Sequence, residues 1–308
     1  MNTITIISDK KDSIRQIHFN LWNSKKNNLH FLDIGILCEN DFSTIMINLP
    51  RGDSSKVLET EDLSEKMVNN IPNAIFNEAI DIEERDKLKI FKFKSAEKEP
   101  FIVFPFDSIN CINKDNYDIK ITVQKTNYKL NSEEIKNKYY RFRIKNFDHS
   151  TVIIEIASKS KSFESSFSSC KIVDFRLNDL KLLKNSIVQK IVTNSYPFLK
   201  VHFLYIADID EDIQLASDNY SARFLEREVW DDYLNLKQDK IKTDMIAYHL
   251  REKETFSTSF LLKCRYNNTS FKHLSIYATI VIGLAFVANV FTKGLFYLFS
   301  MLNLVFKK

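Results

Sequence analysis

From Leu274 to Phe306 the chain has one ionised residue, Lys293, and its first part, LSIYATIVIGLAFVANVFT, is apolar around the whole circumference of a helix. Those 19 residues approach the roughly 20 needed to cross a hydrocarbon core of about 30 Å. Ten of them are Leu, Ile, Val or Phe. At roughly −0.3 to −0.6 kcal/mol each, they outweigh the cost of Asn289. A core helix so apolar at a chain end would need cover on every side, so the pattern predicts a membrane tail over residues 274–306.

Lys263, Arg265 and Lys272 precede the span and place its N-terminal side in the cytoplasm. The second stretch, LFYLFSMLNLVF, measures about 18 Å as a helix, too short for an upright second crossing. The expected form is a single span with a trailing interfacial or re-entrant segment. One long tilted helix ranks second, and a hairpin turning at Lys293-Gly294 third.

At 100° per residue, Ser275, Thr279, Asn289, Lys293, Tyr297, Ser300, Asn303 and Lys307 fall within an arc of about 120°. Ala278, Ala285 and Thr292 border that arc. In lipid such a stripe faces another helix or water, because an unpaired polar group in hydrocarbon is costly. The stripe points to a homo-oligomer, with a pore as the sharper expectation and packing against a partner as the plainer one.

Upstream, the pattern changes to short β-rich runs. Thr3–Ser8, Gln16–Trp22, Leu29–Cys38 and Ser43–Leu49 are separated by polar turns. Helical stretches are expected at Asp62–Ile71 and Asn73–Ile80, then strands at Leu88–Lys94 and Phe101–Phe104. A second set of strands covers Asp118–Gln124, Tyr139–Lys145, Thr151–Ala157, Cys170–Arg176 and Lys200–Ala207. Helices are expected at Ser221–Leu236 and Lys240–Lys253, with a last β-like stretch around Leu261 and Leu262. The resulting class is α+β, a β-rich antiparallel sheet or sandwich-like cytoplasmic region with few helices, followed by a C-terminal transmembrane helix. Its expected divisions are a β-rich domain over 1–105, an α+β domain over 106–273 and the tail over 274–306.

Composition narrows function mainly by exclusion. Basic residues number 44 and acidic 40, and Lys293, Lys307 and Lys308 lie in the tail, so the rest is near neutral and nucleic acid is not an expected partner. Only Gly35 and Gly52 precede the tail, too few for a glycine-rich phosphate cradle. Four separated cysteines suit free thiols in a reducing compartment. The start, MNTITIISDKKD, lacks the basic and apolar regions of a cleaved signal peptide.

Candidate chemistry is sparse. YYRFRIK alternates strictly, setting Arg141, Arg143 and Lys145 on one strand face, a possible seat for a phosphate-bearing ligand or anionic headgroups. Lys159 and Lys161 follow the next strand and would extend that face. Asp208, Asp210, Glu211 and Asp212 have calcium-like spacing, but Ile213 and Asn219 break the EF-hand pattern. Asp107 with Asp118 and Lys120 has the types needed to hold magnesium and orient a water. The serine-rich KSKSFESSFSSC, Lys159–Cys170, has no nucleophile elbow, and His202 alternates within an apolar strand. No catalytic residue, metal site or cofactor is assigned, and the chain is not expected to be an enzyme.

The arrangement resembles the general plan of bacterial defence effectors that pair a sensing domain with a short transmembrane element. That likeness is one of architecture, with no motif behind it. It implies a membrane-anchored sensor and effector whose soluble module detects a protein or small-molecule signal and whose assembled tails perturb the bilayer of the inner or plasma membrane. A tail-anchored scaffold that recruits a partner is the alternative, and a membrane-tethered metal-dependent nuclease comes third.

Overall fold

The computed structural model describes residues 3–10, 13–39, 43–50, 58–85, 88–95, 98–106, 112–113, 118–123, 129–130, 133–156, 168–194, 197–215, 220–234, 244–267 and 271–305. Strands are numbered along the chain. The central sheet has ten strands. In order across it lie β18 (Tyr220–Phe224), β19 (Met245–Thr255), β16 (Phe198–Asp208), β2 (Ile14–Ser24), β3 (Leu29–Cys38), β13 (Asn137–Ile144), β8 (Phe101–Phe104), β7 (Leu88–Phe93) and β6 (Ile80–Arg85). β5 (Thr60–Asp62) also pairs with β13. β16 runs parallel to β2, and β8 runs parallel to β13. The other pairings described for this sheet are antiparallel.

Two four-stranded sheets share a core with it. One has the order β1 (Thr5–Ser8), β4 (Thr44–Asn48), β10 (Asp118–Thr122), β9 (Ile112–Asn113). The other runs β14 (Ile153–Ile156), β15 (Ser168–Leu177), β20 (Thr258–Asn267), β17 (Glu211–Leu215). A small pair, β11 (Lys129–Leu130) with β12 (Glu133–Glu134), stands apart. The two four-stranded sheets meet where Ile4 bridges Leu177. Asn178 secures that seam. Its side-chain oxygen accepts from the Ile6 amide at 2.8 Å, and its Nδ2 donates to the Ile6 carbonyl at 3.1 Å.

Alternation along the strands builds two cores. Ile17, Phe19 and Leu21 of β2, Ile34 and Ile36 of β3, and Phe142 and Ile144 of β13 enter one apolar cluster with Ile6, Ile47, Phe175 and Leu262 of the smaller sheets. At roughly 1.5–3 kcal/mol for each large side chain fully buried, this cluster is the main adhesive between the layers. The opposite face of the central sheet carries a second cluster, capped by α1 (Ile71–Phe76) and α3 (Arg227–Tyr233). The remaining helices are α2 (Asn185–Asn194) and α4 (Phe271–Val305). With so little glycine, the chain uses asparagine at left-handed positions. Asn28 turns β2 into β3 at φ 54°, and Asn77 ends α1 at φ 53°.

The β-rich character and the apolar C-terminal helix match the expected class. No division falls at residue 105, because β8 before it pairs with β13 after it, and Met1–Glu155 with Lys171–Cys264 form one compact unit. α4 belongs to a second unit.

Several expected elements are corrected. Asp62–Ile71 is a strand end and turns, and α1 begins only at Ile71, with Pro72 in its first turn. The expected helix over Ser221–Leu236 is the strand β18 followed by the short α3. The expected helix over Lys240–Lys253 is, from Met245 on, the strand β19, held between β16 and β18. Charged residues at Arg251–Glu254 hid its period of two, which Met245 and Ala247 mark on the helix-covered face and Tyr248 and Leu250 on the other. The tail is one continuous helix through Lys293 and Gly294, without the turn that a hairpin there needs.

Candidate functional site

Polar residues spaced two apart on β2, β3, β13 and β16 come together on the helix-covered face of the central sheet. Asp33 of β3 is fully buried at the centre. Its Oδ1 accepts from Arg143 Nε at 2.7 Å, and its Oδ2 accepts from Arg143 Nη2 at 3.2 Å, Trp22 Nε1 at 2.9 Å and the Tyr233 hydroxyl at 2.9 Å. Arg141 Nε donates to Tyr233 Oη at 2.7 Å, and its Nη1 donates to Tyr139 Oη at 3.1 Å. With its amide oxygen turned toward the guanidinium, Asn20 accepts from Arg141 Nη2 at 3.1 Å. The Tyr139 hydroxyl continues to His18 Nδ1 at 3.2 Å.

Charge in this network is compensated by geometry. Burial alone would lower both arginines. Tyr233, Tyr139 and Asp33 more than offset it at Arg141, and Asp33 does so at Arg143, so both stand above their ordinary range. Burial pushes the Tyr233 hydroxyl well above its usual value, which keeps it a donor to Asp33. The Arg143 guanidinium also lies 3.8 Å from the centre of the Phe31 ring. Gly35 is required because Tyr139 crosses over it, and a Cβ there would lie 2.7 Å from Tyr139 Cζ.

Arg141 and Arg143 therefore do not form an open basic face. Tyr233 of α3 covers them, while Lys145 stays half-exposed and pairs with Glu61 at 3.3 Å. The anion-binding trio is not brought together at the surface. Lys159 and Lys161 lie outside the described residues, as do Asp107 and most of the serine cluster. Asp118 accepts from the Asn48 amide. In the acidic run, buried Glu211 accepts from Lys171 Nζ at 2.6 Å and the Tyr205 hydroxyl at 3.1 Å. Asp210 pairs with Lys26 at 2.9 Å, and Asp208 accepts from Ser24 and from the Lys26 amide. Among the described residues no group of three or more His, Cys, Asp or Glu is placed to hold a metal.

A row of three histidines was not anticipated. His18 on β2 lies opposite His202 on β16, their ring centres 4.7 Å apart. His202 Nδ1 in turn lies 2.9 Å from His249 Nε2 on β19. Burial lowers all three below the ordinary value, to about 3 for His202 and about 4 for His249. Held that far below pH 7, both rings are neutral there, and of the two facing nitrogens one donates and the other accepts. Polar residues at alternate positions of the apolar runs IHFNLW, FLDIG and KVHFL were the available signal.

In α4, Ser275–Phe299 spans 25 residues with mean hydropathy 1.9 and none of it buried. The helix is long and apolar enough to cross a membrane. Ser275, Thr279, Asn289, Lys293 and Tyr297 recur along it at the expected spacing. Ser300 and Asn303 continue the backbone helix, and Lys307 lies outside the described residues. The hydroxyls of Thr279 and Thr292 donate to the carbonyls of Ser275 and Ala288, each at 2.8 Å, which satisfies them within the helix. Among the described residues Asn289 and Lys293 have no hydrogen-bond partner of this kind.

The chain matches no protein-family model and no curated protein.

Proposed function

We propose that this chain is a membrane-anchored sensor and effector. Its β-rich body lies on the cytoplasmic side of the inner or plasma membrane and detects a protein or small-molecule signal. α4 crosses the bilayer, and assembled tails perturb it. One observation carries the reading: a 25-residue apolar helix, none of it buried by the rest of the chain, with its polar residues gathered on one stripe.

Dimensions support an anchored, interacting helix. The whole of α4 measures about 52 Å, longer than the roughly 30 Å hydrocarbon core, so it fits only by tilting or by extending its last turns beyond the far interface. Lys293 lies about 27 Å along the axis from Ser275, within snorkelling reach of that interface. Asn289 lies deeper, where an amide without a partner favours association with another helix.

The test is leakage on overexpression. Asn289→Leu combined with Lys293→Leu keeps the span apolar and removes both stripe groups that lack internal partners. Dye or ion leakage is expected from cells making the native chain and to fall to background for the double variant, at equal membrane levels. Equal leakage from both chains, or none from the native chain, rejects the pore. The threonine back-bonds favour the alternative in the latter case, a tail-anchored scaffold that holds a partner without breaching the bilayer.

A further inference from the structure

β18, β19 and the end of α1 enclose an open cleft of about 680 Å³ at one edge of the central sheet. Its volume is that of a small-ligand pocket. Asn77, Tyr220, Ser221, His249, Arg251 and Lys253 line it, with Glu252 the one carboxylate among the lining residues.

The sheet register beneath this cleft breaks a local rule. Lys200 of β16 lies directly opposite Lys253 of β19. Like charges placed across an antiparallel pair destabilise it. Burial lowers Lys200 below the ordinary lysine value, and Lys98, Arg251 and Lys253 lower it further against the opposing pull of Glu78. Glu78 itself is engaged by Lys98. Among the described residues no carboxylate lies within ion-pair distance of Lys200, Arg251 or Lys253. Elsewhere the same chain matches its charges carefully, as at Arg143–Asp33 and Lys171–Glu211. Conflicts of this kind collect at functional sites.

We propose that the cleft binds a small, soluble molecule bearing a phosphate or pyrophosphate group. Arg251 and Lys253 at the wall, with Lys200 opposite Lys253 on the next strand, call for a ligand of more than one negative charge, which a single carboxylate does not supply. Arg251 offers a planar fork for two phosphate oxygens, and Lys253 supplies a point charge beside it. Asn77 and Ser221 add polar groups at the wall. Tyr220, 48% exposed, presents a flat face to whatever organic group the phosphate carries. The cleft's volume and the presence of Glu252 suit a small molecule better than a polyanion.

The proposal supplies a ligand class for the sensing half of the reading above and rests on that half alone. It is measured without a bilayer, so the outcomes of the binding and leakage experiments are judged separately. Full-length protein in neutral detergent is titrated calorimetrically with pyrophosphate and with ADP, with acetate as the monovalent control. One pyrophosphate or ADP per chain is expected, with no acetate binding. Arg251→Gln with Lys253→Gln is expected to weaken pyrophosphate at least about tenfold without lowering the melting temperature, whereas Lys181→Gln leaves it unchanged. Failure of the folded native chain to bind pyrophosphate overturns the proposal. So does equal affinity in the double variant, or an equal loss in Lys181→Gln. Displacement of pyrophosphate by micelles doped with phosphatidylglycerol overturns the soluble source in favour of a lipid headgroup.

Discussion

Replacing Asp33 with alanine is expected to destabilise the body by about 3–5 kcal/mol, the usual cost of breaking a buried ion pair from one side. The carboxylate is fully buried and accepts four hydrogen bonds, two from Arg143 and one each from Trp22 and Tyr233. Without it Arg143 is a buried cation that has lost its ion-pair partner, and Tyr233, which accepts from Arg141, loses the carboxylate it donates to. Since a domain's whole stability is about 5–15 kcal/mol, the variant is expected to be degraded or to unfold at much lower denaturant. Asp33→Asn with Arg143→Met removes both charges and is expected to recover a large part of the loss. Urea unfolding in detergent measures both. A loss under about 1 kcal/mol for Asp33→Ala would mean that the network is a passenger in the fold.

Acid is expected to weaken the body further than any single substitution. His18, His202, His249 and His149 are held below the usual histidine value, chiefly by burial, with His202 and His149 at about 3 and His249 at about 4. These groups are neutral when folded and take up protons when unfolded below pH 6.5. Their stabilising contribution is therefore complete above about pH 6.5 and is lost as pH falls toward 4. At pH 5 each contributes a loss of up to about 2 kcal/mol, or roughly 8 kcal/mol for the four. Glu211, raised mainly by burial, works in the opposite direction, one group against these four and His30, which burial also lowers. The melting temperature is expected to drop steeply between pH 6.5 and 5, and His202→Gln is expected to make the slope shallower. A flat profile over that range would contradict the burial of these rings.

What the sequence made legible was local. Strands β1 to β4, β13 and β16 follow from alternation within single runs, and the tail follows from unbroken apolarity. What it concealed depends on partners far along the chain. Arg141 and Arg143 read as an exposed strand face because nothing near them in sequence shows that α3 will cover them. Asp33 lies 110 residues from Arg143, and Tyr233 lies 200 from Asp33. β19 read as a helix because its exposed half, REKET, is charged, and only pairing with β16 and β18 imposes the period of two. The cleft was hidden for the same reason. Lys200 and Lys253 become neighbours only through strand register.

The account stands on α4 being immersed in lipid. Full-length chain made in cells is released by gentle lysis, and the membranes are washed with alkaline carbonate and floated on a density gradient. The chain is expected to float with the lipid after the wash and to leave it only on addition of detergent. Recovery as a folded species in the aqueous fraction, without detergent or aggregation, would contradict the anchor and every role assigned to the stripe.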